Sequence, residues 1–176
     1  MVNQELGCGQ KTHGVLACKE VNLPEIKNLD AVPDEFTDDP QFITKMKTKY
    51  LGAFAGSERI YVNIDYVKPG AMSVKYHSHS LQEEFFLILA GSGSVRIQGE
   101  ILPVNQGDFF AKPAGKGIAH QFINDGNEVL EILDCGVSDK NDIIEYPDQD
   151  ILFVKNQSAV FKRTSAIKGW STDPNT

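Results

Sequence analysis

What this chain has little of narrows its reading first. Three cysteines stand among 176 residues, at positions 8, 18 and 135, an odd and scattered set that offers no disulfide framework. Cys8, His13 and Cys18 are close in sequence, but their spacing matches no common zinc pattern and a fourth ligand is missing, so they read as unremarkable groups in an N-terminal extension. No apolar run approaches the roughly 18 residues of a membrane helix. The opening MVNQELGCGQKTHGV has no basic stretch followed by an apolar one, and a cytoplasmic protein is expected. Basic residues are also short, 17 against 24 acidic for a net charge of −7, which argues against nucleic acid or an anionic membrane as the main partner. Small neutral or cationic molecules remain.

Long amphipathic helices are missing too, and their absence excludes a parallel α/β sheet. In their place short apolar or alternating segments follow one another, roughly at 49–55, 59–67, 72–78, 83–90, 93–98, 100–104, 108–111, 118–124 and 127–136. Each is bounded by glycine, proline, asparagine or aspartate, as at Pro69-Gly70 and Asn124-Asp125-Gly126. Many short strands at close spacing predict an all-β sandwich or barrel. The expected organisation is a loop-rich N-terminal arm over 1–48 with a short helical turn, a barrel over 49–155, and a C-terminal tail over 156–176 that holds the only tryptophan, Trp170. The stretch after Gly136, SDKNDIIEYPDQDILFV, reads as a polar linker with a late strand near 151–154.

Chemistry concentrates in KYHSHSLQEEFFLILAG, residues 75–91. Side chains two apart on a strand share a face, so His77 and His79 point the same way. Glu84 opens the next strand on a face shared with Phe86 and Ile88, and His120 opens HQFIN on a face shared with Phe122 and Asn124. Three neutral imidazoles and a carboxylate make a mixed nitrogen and oxygen shell for a divalent transition metal: iron, manganese, nickel, cobalt, copper or zinc. Four protein ligands leave open positions on an octahedral ion for substrate or dioxygen. Taken alone, a histidine pair is as well explained by an exposed polar face, and the glutamate pair by a solubilising edge. Their order favours the metal.

That order resembles the cupin superfamily, and in particular its single-domain members without an assigned activity. The first cupin motif, G-x5-HxH-x3/4-E-x6-G, is matched by Gly70, six residues, His77-Ser78-His79, four residues, Glu84, six residues and Gly91. The second, G-x5-P-x-G-x2-H-x3-N, is matched by Gly107, five residues, Pro113-Ala114-Gly115, four residues, His120, three residues and Asn124. The extra residues fall in loops: one before the histidine pair and two before His120. The resemblance implies a double-stranded β-helix, or jelly-roll barrel, with His77, His79, Glu84 and His120 as metal ligands, often in a homodimer. By the family spacing Glu83 faces outward; a one-residue shift of the strand would exchange it with Glu84. Asn124 reads as a turn residue or a support for the ligands, and Gly107, Pro113 and Gly115 as structural.

Phe85, Leu87 and Leu89 give the same strand a second apolar face, which needs a sheet, the arm or another subunit to cover it. For function, the expectation is a metal-dependent enzyme acting on a small molecule, of dioxygenase type first and isomerase type second. The alternative is a barrel that binds or senses a small ligand without turnover. No general base is recognisable; Tyr76, Gln98 and Cys135 read as packing or hydrogen-bonding residues.

Overall fold

The alternating segments pair into three antiparallel sheets in a computed structural model, which describes residues 24–35, 40–43, 45–167 and 169–175. With strands numbered in chain order, the largest sheet joins β1 (Met46–Tyr50), β2 (Ile60–Val67), β9 (Leu130–Val137), β4 (Glu84–Ala90) and β7 (Phe109–Lys112), in that spatial order. A three-stranded sheet joins β6 (Glu100–Asn105), β5 (Ser92–Ile97) and β8 (His120–Ile123). A four-stranded sheet joins β12 (Ala159–Lys162), β11 (Ile151–Val154), β10 (Ile143–Tyr146) and β3 (Ser78–His79). This is the all-β jelly-roll barrel that the sequence predicts.

Register explains how the barrel is filled. Met46 pairs with Val67, Val67 with Leu130, and Ile88 with Ile132, so one end of the large sheet presents an apolar inner face. These side chains join Phe86, Val95, Val104 and Phe122 in a single buried cluster between the sheets. Each such side chain contributes about 1.5–3 kcal/mol on leaving water. Toward the other end the same inward row turns polar. Thr48 pairs with Asp65, Asp134 with both Asn63 and Phe86, and Glu84 with Lys112 on one side and Gly136 on the other. One sheet therefore carries a dry end and a chemical end.

Several expectations need correction. The segment 49–55 is not one strand: β1 ends at Tyr50, and Leu51–Ala55 forms a short helix laid on β2. Gly52 permits that approach, since a Cβ there would lie 2.8 Å from the Val62 backbone nitrogen. Residues 72–78 make only bridges, Met72 to Ile123 and His77 to His120, before the two-residue β3. The supposed polar linker contains β10, whose IIEY run is obscured by flanking acids, and the tail contributes β12 to the sheet edge. Trp170 and Ile167 of the tail are each 77% exposed. In the arm, a 3-10 turn at Leu29–Ala31 and a four-residue helix at Pro40–Ile43 are present, while Cys8, His13 and Cys18 lie outside the described residues.

Asn124 acts as the expected turn residue. Fully buried, it donates from Nδ2 to the carbonyls of Val67 at 2.7 Å and Glu128 at 2.8 Å, and its Oδ1 accepts from the Gly126 amide at 3.0 Å. Asn124→Ala would strand these backbone groups away from water. It is expected to cost about 2–4 kcal/mol, read as a lowered denaturant midpoint at unchanged slope; an unshifted midpoint would deny Asn124 this role.

Candidate metal centre

Two neighbouring elements aim the first ligand candidates. His77 is joined to His120 by a reciprocal pair of backbone bonds, its amide to the His120 carbonyl at 3.2 Å and the return bond at 2.9 Å. His79, two residues on, ends β3 opposite Ile144 of β10. Glu84, the first residue of β4, faces inward and is 3% exposed, so the turn at 80–83 keeps the expected register and Glu83 lies exposed. His77, His79 and Glu84 each offer one ligand atom, all within 4.8 Å of one another. His120 packs against them, with its ring 4.8 Å from that of His77 and its Nδ1 3.9 Å from Glu84 Oε2.

Hydrogen bonds determine which nitrogens carry lone pairs. His77 Nδ1 is 2.7 Å from the Lys75 carbonyl, which can only accept, so the proton sits on Nδ1 and Nε2 is bare. His79 Nδ1 is 2.5 Å from Asp142 Oδ2, which turns its Nε2 toward Glu84. Burial, with the charge of Lys112 beside it, pushes the His77 pKa down to about 4, and burial holds His120 well below its ordinary value. Both rings are therefore neutral at pH 7.

His79 Nε2 also tests whether a metal fits. It is buried without a hydrogen-bond partner and faces Glu84 Oε1 at 3.3 Å. A lone pair aimed at a carboxylate oxygen is repulsive unless a proton or a cation lies between them. The donor set and this opposition suit a divalent transition ion.

Around the ligands lies a shell that local sequence patterns did not reveal. Asp142, fully buried, clamps His79 and accepts from Ser80 Oγ at 3.0 Å and the Leu81 amide at 2.8 Å. Burial alone would raise its pKa, but these bonds, His79 first, hold it below the usual carboxylate value. Lys112 is 2% exposed and contacts Glu84 Oε2. Burial opposes ionisation of Glu84, yet the His79 contact and the Lys112 ammonium keep its carboxyl below the ordinary range.

The Tyr61 hydroxyl sits between Asp134 Oδ1 at 2.9 Å and Glu84 Oε1 at 3.2 Å. Tyrosine has one proton for these two acceptors, and burial, with Asp65 and Glu84 nearby, holds Asp134 well above its normal pKa so that it supplies the second. Gly136 makes room for this phenol: a Cβ there would lie 2.9 Å from the Tyr61 ring and closer still to the Glu83 carbonyl. Tyr61, Asp65, Asp134, His77, His79 and Glu84 all line one cavity of about 450 Å³.

Of the other residues singled out in the sequence, Tyr76 spends its hydroxyl on the Gly99 amide at 3.1 Å, and Gln98 Oε1 accepts from the Ala119 amide at 3.4 Å. Neither these nor Cys135 lines the cavity, in keeping with their reading as packing and hydrogen-bonding residues. Lys112 and Asp134 had a signal, since alternation from Phe110 and Ile132 turns them inward. Asp142 had none, because its partner is 63 residues away.

Comparison with known proteins places this geometry. Residues 64–136 match the family model described as Cupin domain. No curated protein matches the sequence. A candidate sugar phosphate isomerase from Acidithiobacillus ferrooxidans is 26% identical over 72% of this chain and 81% of its own, with a TM-score of 0.68. A sugar phosphate isomerase of the cupin superfamily from Silicibacter pomeroyi is 23% identical over 85% of this chain and 98% of its own, with a TM-score of 0.72. A candidate oxalate decarboxylase from Thermotoga maritima is 21% identical over 64% of this chain and 98% of its own, with a TM-score of 0.55. The latter two speak to the fold alone. No helix among the described residues is long and apolar enough to cross a membrane.

Burial pushes the Asp65 carboxyl up to about 6, although Thr48 Oγ1 donates to it at 2.5 Å. An unfolded aspartate loses its proton near pH 4, roughly. Between these values the folded protein binds more protons than the unfolded chain, so Asp65 makes stability fall as pH rises through that window and adds no further loss above it. Asp65→Asn should escape this fall. Its melting midpoint relative to wild type should climb from pH 4 to about 6 and then level off; a pH-independent difference would mean that Asp65 ionises normally.

Proposed function

From the premise that residues 64–136 form a cupin domain, we propose that the chain is a metal-dependent enzyme acting on a small, oxygen-bearing molecule. His77, His79, Glu84 and His120 hold one divalent transition ion, of iron, manganese, nickel, cobalt, copper or zinc. The observation that carries this reading is the His79 Nε2, buried without a hydrogen-bond partner and opposed to Glu84 Oε1 at the wall of a cavity. A bound ion of this kind polarises a carbonyl or hydroxyl oxygen.

Between the two expected reaction types, the carboxyls favour isomerisation over dioxygenation. Burial lifts the Asp65 carboxyl to about 6 and raises that of Asp134, which suits both to carrying protons. An aldose–ketose type of isomerisation needs such carriers: a proton leaves the carbon beside a carbonyl and returns to the neighbouring carbon, with no oxidant consumed. The candidate isomerase from Acidithiobacillus ferrooxidans supports the same choice.

A homodimer is part of the proposal. Strand β7 lies at the edge of the large sheet, where Phe109 is 68% exposed beside the partly exposed Phe85. An apolar edge of this kind is covered by a second copy. A cytoplasmic setting suits the free Cys135 thiol.

Elemental analysis of purified protein is the direct test. Wild type should carry about one equivalent of a transition metal, and a folded His77→Ala, His79→Ala double variant should carry none. Asp142→Asn, which loosens the clamp on His79, should weaken the metal by about 10–100-fold. Failure to take up any ion after reconstitution would remove the metal reading. With metal-loaded protein in deuterium oxide, hydroxy-carbonyl sugars should gain deuterium beside the carbonyl; sugars that bind and are recovered unlabelled would indicate a non-catalytic binding barrel. Sedimentation equilibrium should return twice the chain mass, and a monomer would assign cover of the Phe85 face to the chain itself.

A further inference from the structure

Lys112 lies inside the candidate metal centre, where a second cation is unexpected. The β7 sequence FFAK alternates, with Phe109 and Ala111 outward and Phe110 and Lys112 inward, and register sets Lys112 directly across from Glu84. Its side chain is 3% exposed, as shielded as the 4% of Glu84 and of His120. The ammonium contacts Glu84 Oε2 and lies 2.8 Å from His120 Nδ1.

An ammonium has three protons to donate and nothing with which to accept. Its contact with His120 therefore uses the Nδ1 lone pair of that ring, and its contact with Glu84 uses a carboxylate oxygen. Both partners are among the four proposed ligands, so the ammonium occupies polar atoms of the site itself. The geometry explains why His77, His79 and Glu84 cluster as ligand atoms while His120 stands to one side, held by Lys112.

We propose that Lys112 is a resident cation of this site, which neutralises Glu84 and engages His120 when no metal is bound and which competes with the metal for Glu84. The inference rests on the metal reading above. Two consequences follow from electrostatics. A buried carboxylate that loses its only ammonium contact destabilises the metal-free fold. A divalent ion that no longer shares Glu84 with an ammonium, nor sits beside its positive charge, binds more tightly. Lys112 thus sets the metal affinity below what the ligand set alone would give, while keeping the metal-free site folded.

The test compares wild type, Lys112→Met and Lys112→Gln, using Co²⁺ and Zn²⁺ dissociation constants from chelator competition together with melting midpoints of the metal-free and loaded forms. Lys112→Met should bind both ions at least tenfold more tightly, melt lower when metal-free, and gain more from the ion than wild type does. Lys112→Gln keeps a donor for His120 without the charge, so it should also bind more tightly, and it serves if the methionine variant fails to fold. Folded variants that bind either ion no more tightly than wild type would overturn the competition. If neither wild type nor variant binds any ion, the metal reading itself fails and the role of Lys112 goes with it; wild-type binding with unchanged variants sinks the Lys112 inference alone.

Discussion

One buried carboxylate organises the chemical end of this barrel. Glu84 is 3% exposed, and a charge so placed is costly unless it is surrounded by donors and cations. Its neighbours arrive from separate parts of the chain: Tyr61 from β2, His79 from β3, Lys112 from β7 and Gln82 from the turn before β4. None of them reaches Glu84 unless the β4 register is right. A slip of one residue would exchange Glu83 for Glu84 on the inner face and turn Phe86 and Ile88 out of the core cluster.

The same strands that hold the site also isolate it from the core. Along β2, Val67 belongs to the apolar cluster, whereas Asp65 and Tyr61 belong to the cavity; along β9 the change comes between Ile132 and Asp134. Stability is concentrated at the apolar end, where Phe86, Phe110, Phe122 and the aliphatic side chains close on one another. The polar end works against it, since burial raises the carboxyls of Asp65 and Asp134 by making their charged forms expensive. Phe86 lies at the border, its ring 4.7 Å from that of His120.

The histidines are oriented from outside the cavity. The Lys75 carbonyl and the Asp142 carboxylate each accept a hydrogen bond from the far nitrogen of a ring, which turns the near nitrogen of His77 and of His79 toward the cavity before anything binds. Asp142 is delivered by the segment leading into β10, and β10 pairs with the strand that carries His79. The four-stranded sheet is therefore part of the site, since it sets the angle of one ring and the residue that clamps it.

Local spacing by itself determined the strand-rich fold and the shared face of His77 and His79, which follow from a period of two between nearby residues and from turn chemistry that a linear chain displays directly. The choice of Glu84 over Glu83 came from the resemblance in motif spacing, and the turn at 80–83 keeps that register. The helix at Leu51–Ala55 and the strands β10 and β12 were hidden, because they depend on a close approach to β2 or on pairing with distant partners. Tertiary structure decided the rest. Asp142 reaches His79 across 63 residues, Tyr61 reaches Asp134 across 73, and Lys112 meets His120 only because β7 of the large sheet and β8 of the three-stranded sheet come together at the site. Such contacts have no local period, so the atoms that tune the ligands were decided by the closing of the barrel.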